Sequence, residues 1–108
     1  MSEATNEFQR AISASALSPG EATEVEVGGR EIAVVNVGGQ FYAIDNRCPH
    51  ADGPLGEGMV QDEIIICPWH QWEFDVTTGE YLDDPTICVD RFETKVEDGE
   101  VFVRVSGT

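Results

Sequence analysis

The chain has 108 residues, 41% of them hydrophobic, and its 21 acidic against 6 basic side chains give a formal net charge of −15. This length allows one modest core, and the hydrophobic content is too high for a disordered chain, so we predict a single domain over 1–108. A surface this acidic argues against nucleic acid and anionic membranes as partners. No apolar run reaches the length of a membrane span, and residues 1–15 lack the pattern of an export signal, so we expect a soluble, cytoplasmic protein.

Along the chain, turn signals separate short segments that favour β-branched and aromatic residues, without a sustained helical period. We predict that residues 1–7 form a flexible N-terminus and that Ser13–Leu17 forms at most one helical turn. The predicted strands are Thr23–Val27, Glu31–Val37, Phe41–Ile44, Glu63–Cys67, Gln71–Val76, Tyr81–Leu82, Phe92–Glu97 and Glu100–Val105. Asp98-Gly99 is a strong type I′ hairpin signal between the last two. The pattern predicts an all-β fold, a small antiparallel barrel or sandwich, with residues 46–85 inserted as a separate subdomain.

The inserted segment carries both histidines of the chain and two of its three cysteines. They occur as Cys48-Pro49-His50 and Cys67-Pro68-Trp69-His70, with sixteen residues between His50 and Cys67. Thiolate and imidazole ligands suit zinc or iron rather than calcium or magnesium. Four such ligands could close one tetrahedral zinc site, which would make the domain a structural or interaction module. They could equally hold a two-iron cluster, with thiolates on one iron and imidazoles on the other.

The spacing bears on this choice because each half supplies one cysteine and one histidine, and the first gap is a single residue. A usual structural zinc site instead pairs like ligands within each half at gaps of two to four residues. If each loop carries one cysteine and one histidine, each loop can reach both ends of a group larger than a single metal ion.

Two segments, "NRCPHADGPLGEG" and "CPWHQWEFDVTTGE", resemble the cluster-binding loops of small Rieske [2Fe–2S] proteins. The upstream "GGQFYAIDN" and the downstream "VEDGEVFV" are similar to the flanking strands, and the resemblance covers nearly the whole chain after about Leu17. It implies one [2Fe–2S] cluster, with Cys48 and Cys67 on one iron and His50 and His70 on the outer, solvent-facing iron. It also implies an electron carrier rather than an enzyme, with no catalytic residue of its own.

Departures from the family pattern indicate which kind of Rieske protein this is. Gly53 and Trp69 stand where high-potential members have cysteines joined in a disulfide. Trp72 and Phe74 stand where those members have hydroxyl side chains that donate to sulfur. Both losses make reduction harder, so the resemblance implies a low-potential, soluble carrier. Terminal oxygenases need further histidines for a mononuclear iron, and both histidines of this chain are used by the cluster.

The resemblance therefore implies a monomeric ferredoxin that passes single electrons from a flavin-dependent reductase to a terminal oxygenase. The alternative is the small Rieske subunit of an NAD(P)H-dependent nitrite reductase. Ten acidic residues and one arginine lie between Asp45 and Asp84, which suggests docking to a basic partner. Adaptation to high salt, or solubility alone, would explain the acidity equally well.

Several single residues carry further expectations. We expect Cys88 to be a small buried hydrophobe. Trp72 should pack under the cluster and Trp69 should be partly exposed. Gln71 occupies a position where glycine is common in the family, so a positive φ there would strain the chain.

Overall fold

The computed structural model describes residues 8–48, 53–69 and 71–105. Within these ranges eleven strands are joined by turns and by two short 3-10 segments, Ala14–Ala16 and Leu55–Glu57. The strands are β1 Phe8–Ser13, β2 Ala22–Val27, β3 Arg30–Val37, β4 Gln40–Asp45, β5 Met59–Gln61, β6 Ile64–Ile66, β7 Glu73–Asp75, β8 Glu80–Tyr81, β9 Asp84–Cys88, β10 Arg91–Glu97 and β11 Glu100–Arg104. No helix in the described part of the chain is long and apolar enough to cross a membrane.

Two antiparallel sheets make up the fold. The first has the order β1-β11-β10-β4-β3-β2 and nearly closes into a barrel. The second has the order β5-β6-β7-β8-β9, so each strand pairs with its neighbour in the chain. All five strands of the second sheet lie between β4 and β10 in the sequence. The predicted all-β class, a barrel-like sheet with an inserted second unit, is confirmed.

The position of strand β3 explains why the stretch Glu31–Val37 is almost continuously apolar. Five consecutive residues of β3 are buried, and the first four alternate between two cores. Ile32 and Val34 pack inside the barrel with Val101 and similar residues. Ala33 and Val35 pack on the opposite side, in a core that also contains both ligand-type cysteines. Since successive side chains of a strand point to opposite faces, a central strand between two cores must be apolar on both.

The turn between β10 and β11 has the predicted hairpin conformation. Asp98 has φ 52° and Gly99 has φ 78°, and Glu97 pairs with Glu100 across the turn. A type I′ turn requires positive φ at both central residues, which glycine and aspartate tolerate best.

Strands β1, β5 and β9 were not predicted from the sequence. β1 is half-buried without clear alternation, β5 has only three residues, and β9 contains Pro85. Proline is tolerated in β9 because this strand lies at the edge of the second sheet. The expectation that Cys88 is buried is wrong, because its side chain is exposed on this edge strand and Val89 enters the core instead. Residues 1–7, predicted to be flexible, lie outside the described part of the chain.

Candidate metal centre

The first cysteine stands at the base of a closed loop that follows β4. The backbone N–H of Cys48 donates to the carbonyl of Gly53 at 2.9 Å. Arg47 and Pro54 form an isolated antiparallel bridge beside this bond. Residues 47–48 and 53–54 therefore lie side by side where the chain leaves the first sheet, and they mark the two ends of the first loop, 48–53.

The second cysteine occupies the same place in a second loop, between β6 and β7. The backbone N–H of Cys67 donates to the carbonyl of Trp72 at 2.7 Å. This bond spans five residues, as does the bond between Cys48 and Gly53. The amide of each cysteine thus donates to the carbonyl five residues further on, so the repeated sequence pattern corresponds to a repeated hydrogen bond.

The two loops meet at Gly53. A Cβ atom built on Gly53 would lie 2.7 Å from the Sγ of Cys67 and 3.3 Å from the Cβ of Trp69. Cys48 and Cys67 are both fully buried and belong to one apolar core. Two loops distant in sequence therefore place two thiols in the same water-free region, with a close approach that the missing side chain of Gly53 permits.

Aromatic side chains pack in or against the core that holds the two thiols. Phe74 is fully buried in the same core, and Trp72 and Tyr81 pack against that core. The rings of Trp72 and Tyr81 stack at 4.0 Å with an interplanar angle of 6°. Partial burial and then the carboxylates of Asp83 and, more weakly, Asp84 raise the pKa of Tyr81 above its ordinary value. The Tyr81 hydroxyl therefore stays protonated at neutral pH and donates to Asp83 at 3.4 Å.

One backbone donor reaches a cysteine sulfur directly. The amide N–H of Trp69 lies 3.4 Å from the Sγ of Cys67. The Trp69 side chain is 50% exposed, as expected, so the second loop presents an indole to solvent beside a buried sulfur. At positions 72 and 74, the residues are apolar aromatic side chains without a hydroxyl group.

Gln71 has φ 60°, in the left-handed region where residues with a side chain are disfavoured. This confirms the expectation that glutamine replaces glycine there at some cost. Gln71 is exposed, so burial of its side chain does not offset the strain.

The structure brings Cys48 and Cys67 together, whereas His50 and His70 lie outside the described residues. Within residues 8–48, 53–69 and 71–105 no three metal-ligating side chains form a group. The two thiols suit soft metal ions such as those of an iron–sulfur cluster, and their loops fit the thiolate half of such a site. Sequence reasoning missed Asn46, a buried side chain at the base of the first loop.

A comparison with protein families matches residues 7–93 to the Rieske [2Fe-2S] domain. The chain belongs to the Rieske family. Among relatives, it is 38% identical over 96 residues to ferredoxin CarAc from Metapseudomonas resinovorans, covering 87% of this chain and 90% of that protein. It is 35% identical over 91 residues to human apoptosis-inducing factor 3, but spans only 15% of that protein's length.

Two of the solved structures that share this fold contain a matched small protein of about the same length as this chain. One is the complex of reduced oxygenase and oxidized ferredoxin in carbazole 1,9a-dioxygenase, with a TM-score of 0.84 and 34% identity over 95% of this chain and 97% of the matched chain. The other is a putative NADH-dependent nitrite reductase small subunit from Mycobacterium tuberculosis, with a TM-score of 0.85 and 25% identity over 93% and 96%.

Proposed function

We propose that Cys48 and Cys67 ligate one iron of a [2Fe–2S] cluster and that His50 and His70 ligate the other. Such a cluster, when bound, accepts and donates one electron at a time. The observation that carries this proposal is the burial of both thiols in one core, where the second cysteine segment closely approaches Gly53 of the first. Each loop also contains one histidine, two residues after Cys48 and three after Cys67. We assign the ligands to residues 46–85, a cluster-binding subdomain of the single domain 1–108.

The same proposal includes the role of the protein, a monomeric cytoplasmic carrier that moves electrons from a flavin-dependent reductase to a terminal oxygenase. Ferredoxin CarAc supports this role, because this chain matches nearly all of its length. The match to the ferredoxin–oxygenase complex supports it too. The chain offers the two histidines of the cluster and no further histidine for a mononuclear iron, so it carries electrons to another protein.

A low reduction potential follows from the surroundings of the sulfurs. Hydrogen bonds to sulfur favour the more negative, reduced cluster. Phe74 is buried in the same core as both cysteines and provides no hydroxyl group, and neither does Trp72, which packs against that core. The Trp69 amide remains as one donor to Cys67. Gly53 and Trp69 also replace the cysteines that would form a disulfide between the loops.

Charge is distributed unevenly between the two sheets, which supports docking to a basic partner. Among the described residues, every ion pair lies on the first sheet or at its edges, as Arg10–Glu100 and Arg104–Glu93 illustrate. The segment that carries the second sheet has eight acidic residues between Glu57 and Asp84 and no lysine or arginine. The rest of the chain has 13 acidic and 6 basic residues, so all of its positive charge lies outside the segment that carries the second sheet. The cluster end is therefore the more uniformly negative one, and such a field orients the protein towards a basic surface.

The nitrite reductase small subunit is the second candidate, because that fold neighbour covers the chain as completely as the ferredoxin does. A mixing experiment separates the two functions. The protein is reduced with dithionite, freed of excess reductant and mixed anaerobically with an oxidised Rieske oxygenase or with a sirohaem nitrite reductase large subunit.

We expect the oxygenase to re-oxidise the reduced protein much faster than the nitrite reductase does. The visible absorption of the protein reports this re-oxidation. The opposite preference would establish the second candidate. A protein that contains zinc, without two irons and two acid-labile sulfides per chain, would reject both.

A further inference from the structure

Asn46 follows directly after β4, two residues before the first loop begins at Cys48, and it is only 5% exposed. Its backbone N–H donates to the carbonyl of Glu31 at 3.1 Å, and its carbonyl accepts from the amide of Leu55 at 2.7 Å. The side-chain oxygen accepts from the amide of Gly56 at 2.7 Å. The side-chain nitrogen donates to the Glu24 carboxylate at 3.0 Å. All hydrogen-bonding groups of this buried residue are thus engaged.

These four bonds connect the first sheet to the turn that follows the first loop. Glu24 and Glu31 belong to β2 and β3 of the first sheet, whereas Leu55 and Gly56 belong to the 3-10 turn that follows the first loop. Asn46 therefore ties both ends of the loop to the barrel, two residues before Cys48.

The polarity of the side-chain amide is determined by its partners. The Gly56 amide can only donate, so it requires the oxygen of Asn46, and the Glu24 carboxylate can only accept, so it requires the nitrogen. The contact is also tightly packed. A Cβ atom on Gly56 would lie 2.6 Å from the Cγ of Glu24 and 2.9 Å from the Oδ1 of Asn46.

We propose that Asn46, held by Glu24, is a positioning residue that fixes the first loop so that Cys48 is held beside Cys67. The inference rests on the proposed cluster site. In this proposal the Glu24 carboxylate acts through Asn46, and the position of the first loop depends on the donor and the acceptor being in this order.

The test exchanges the donor and the acceptor. Asn46→Asp keeps the oxygen that accepts from Gly56 but places a second carboxylate against Glu24. We expect the cluster to be lost about tenfold faster or more, because a hydrogen bond to a charged group is replaced by like charges. Adding Glu24→Gln supplies a new donor in the reverse direction. The double variant should return to within about threefold of the original rate.

Asn36 provides a matched control. It is also a buried asparagine, 3% exposed, and it bridges the Leu17 carbonyl at 2.7 Å and the Gly39 amide at 2.8 Å. Those partners lie outside the second sheet and its two loops. Asn36→Asp should lower the unfolding temperature, yet it should leave the rate of cluster loss from the folded protein within about threefold of the original.

The measurement is the decay of visible absorption of the iron-loaded protein in excess chelator, under anaerobic conditions at a temperature where every variant is folded. Acceleration in Asn46→Asp, rescue in the double variant and little effect in the control would support the inference. Equal acceleration by Asn36→Asp, no acceleration by Asn46→Asp or no rescue would overturn it. If Asn46→Asp does not fold, Glu24→Ala takes its place and should accelerate loss several-fold, whereas an unchanged rate would overturn the inference.

The proposed function is tested separately by the iron and sulfide content of the unmodified protein. If that protein held zinc, the cluster proposal would fail. The role of Asn46 would then be judged by the same ranking of variants in zinc release to a colorimetric chelator.

Discussion

Replacing Gln71 by glycine should make the protein more stable. A non-glycine residue in the left-handed region costs roughly 1–2 kcal/mol, and Gln71 has φ 60°. Glycine also lowers the free energy of unfolding by about 0.5–1 kcal/mol, because it gives the unfolded chain more conformational freedom. The net gain is then about 0.5–1 kcal/mol, which corresponds to a rise in the unfolding temperature of roughly 2–8 °C for a domain of this size.

The assay is anaerobic thermal unfolding of the iron-loaded protein, followed by circular dichroism at one scan rate. Asp98→Gly is the matched control, because Asp98 also has a positive φ of 52° but aspartate tolerates this region better. We expect a smaller rise for Asp98→Gly, with the iron content of both variants unchanged. A lower unfolding temperature for Gln71→Gly than for the original protein would show that the reasoning on strain is wrong.

Three further predictions follow from the site. Serine at Cys48 or Cys67 should abolish cluster assembly, because an alkoxide or water replaces thiolate poorly, whereas Cys88→Ser should retain full iron and sulfide since Cys88 is exposed on an edge strand. Phe74→Tyr should raise the midpoint potential by about 20–65 mV, the equivalent of one hydrogen bond of roughly 0.5–1.5 kcal/mol; an unchanged midpoint in protein-film voltammetry would mean that position 74 does not face the sulfurs. Electron transfer to the oxygenase, measured by stopped flow, should slow about tenfold or more as salt rises, and equal rates at low and high ionic strength would contradict docking through the acidic segment.

Much of the fold was predictable because its strands carry local signals. The alternating cores of β3 and the Asp98-Gly99 turn are both visible as sequence patterns. The edges of the second sheet were not, because a three-residue strand and a strand containing proline have too little pattern of their own and depend on their neighbours. Cys88 was misjudged for the same reason, since its exposure depends on which strand lies at the edge.

The candidate site was also predictable only in part. The Cys–His spacing predicted the two cysteine loops, because ligand chemistry leaves its residues in the sequence. The position of Asn46 could not be predicted from its own neighbours in the chain. Its side chain forms hydrogen bonds with Glu24 and Gly56, which are 22 and 10 residues away in the sequence.

The electron paramagnetic resonance spectrum of the dithionite-reduced protein tests the central claim most directly. Two imidazole ligands on one iron lower the average g-value below that of clusters held by four cysteines. Our assignment of His50 and His70 predicts this lowered average, together with two irons and two sulfides per chain. A spectrum typical of an all-cysteine ferredoxin, or a protein with no signal and no iron, would contradict the ligand set.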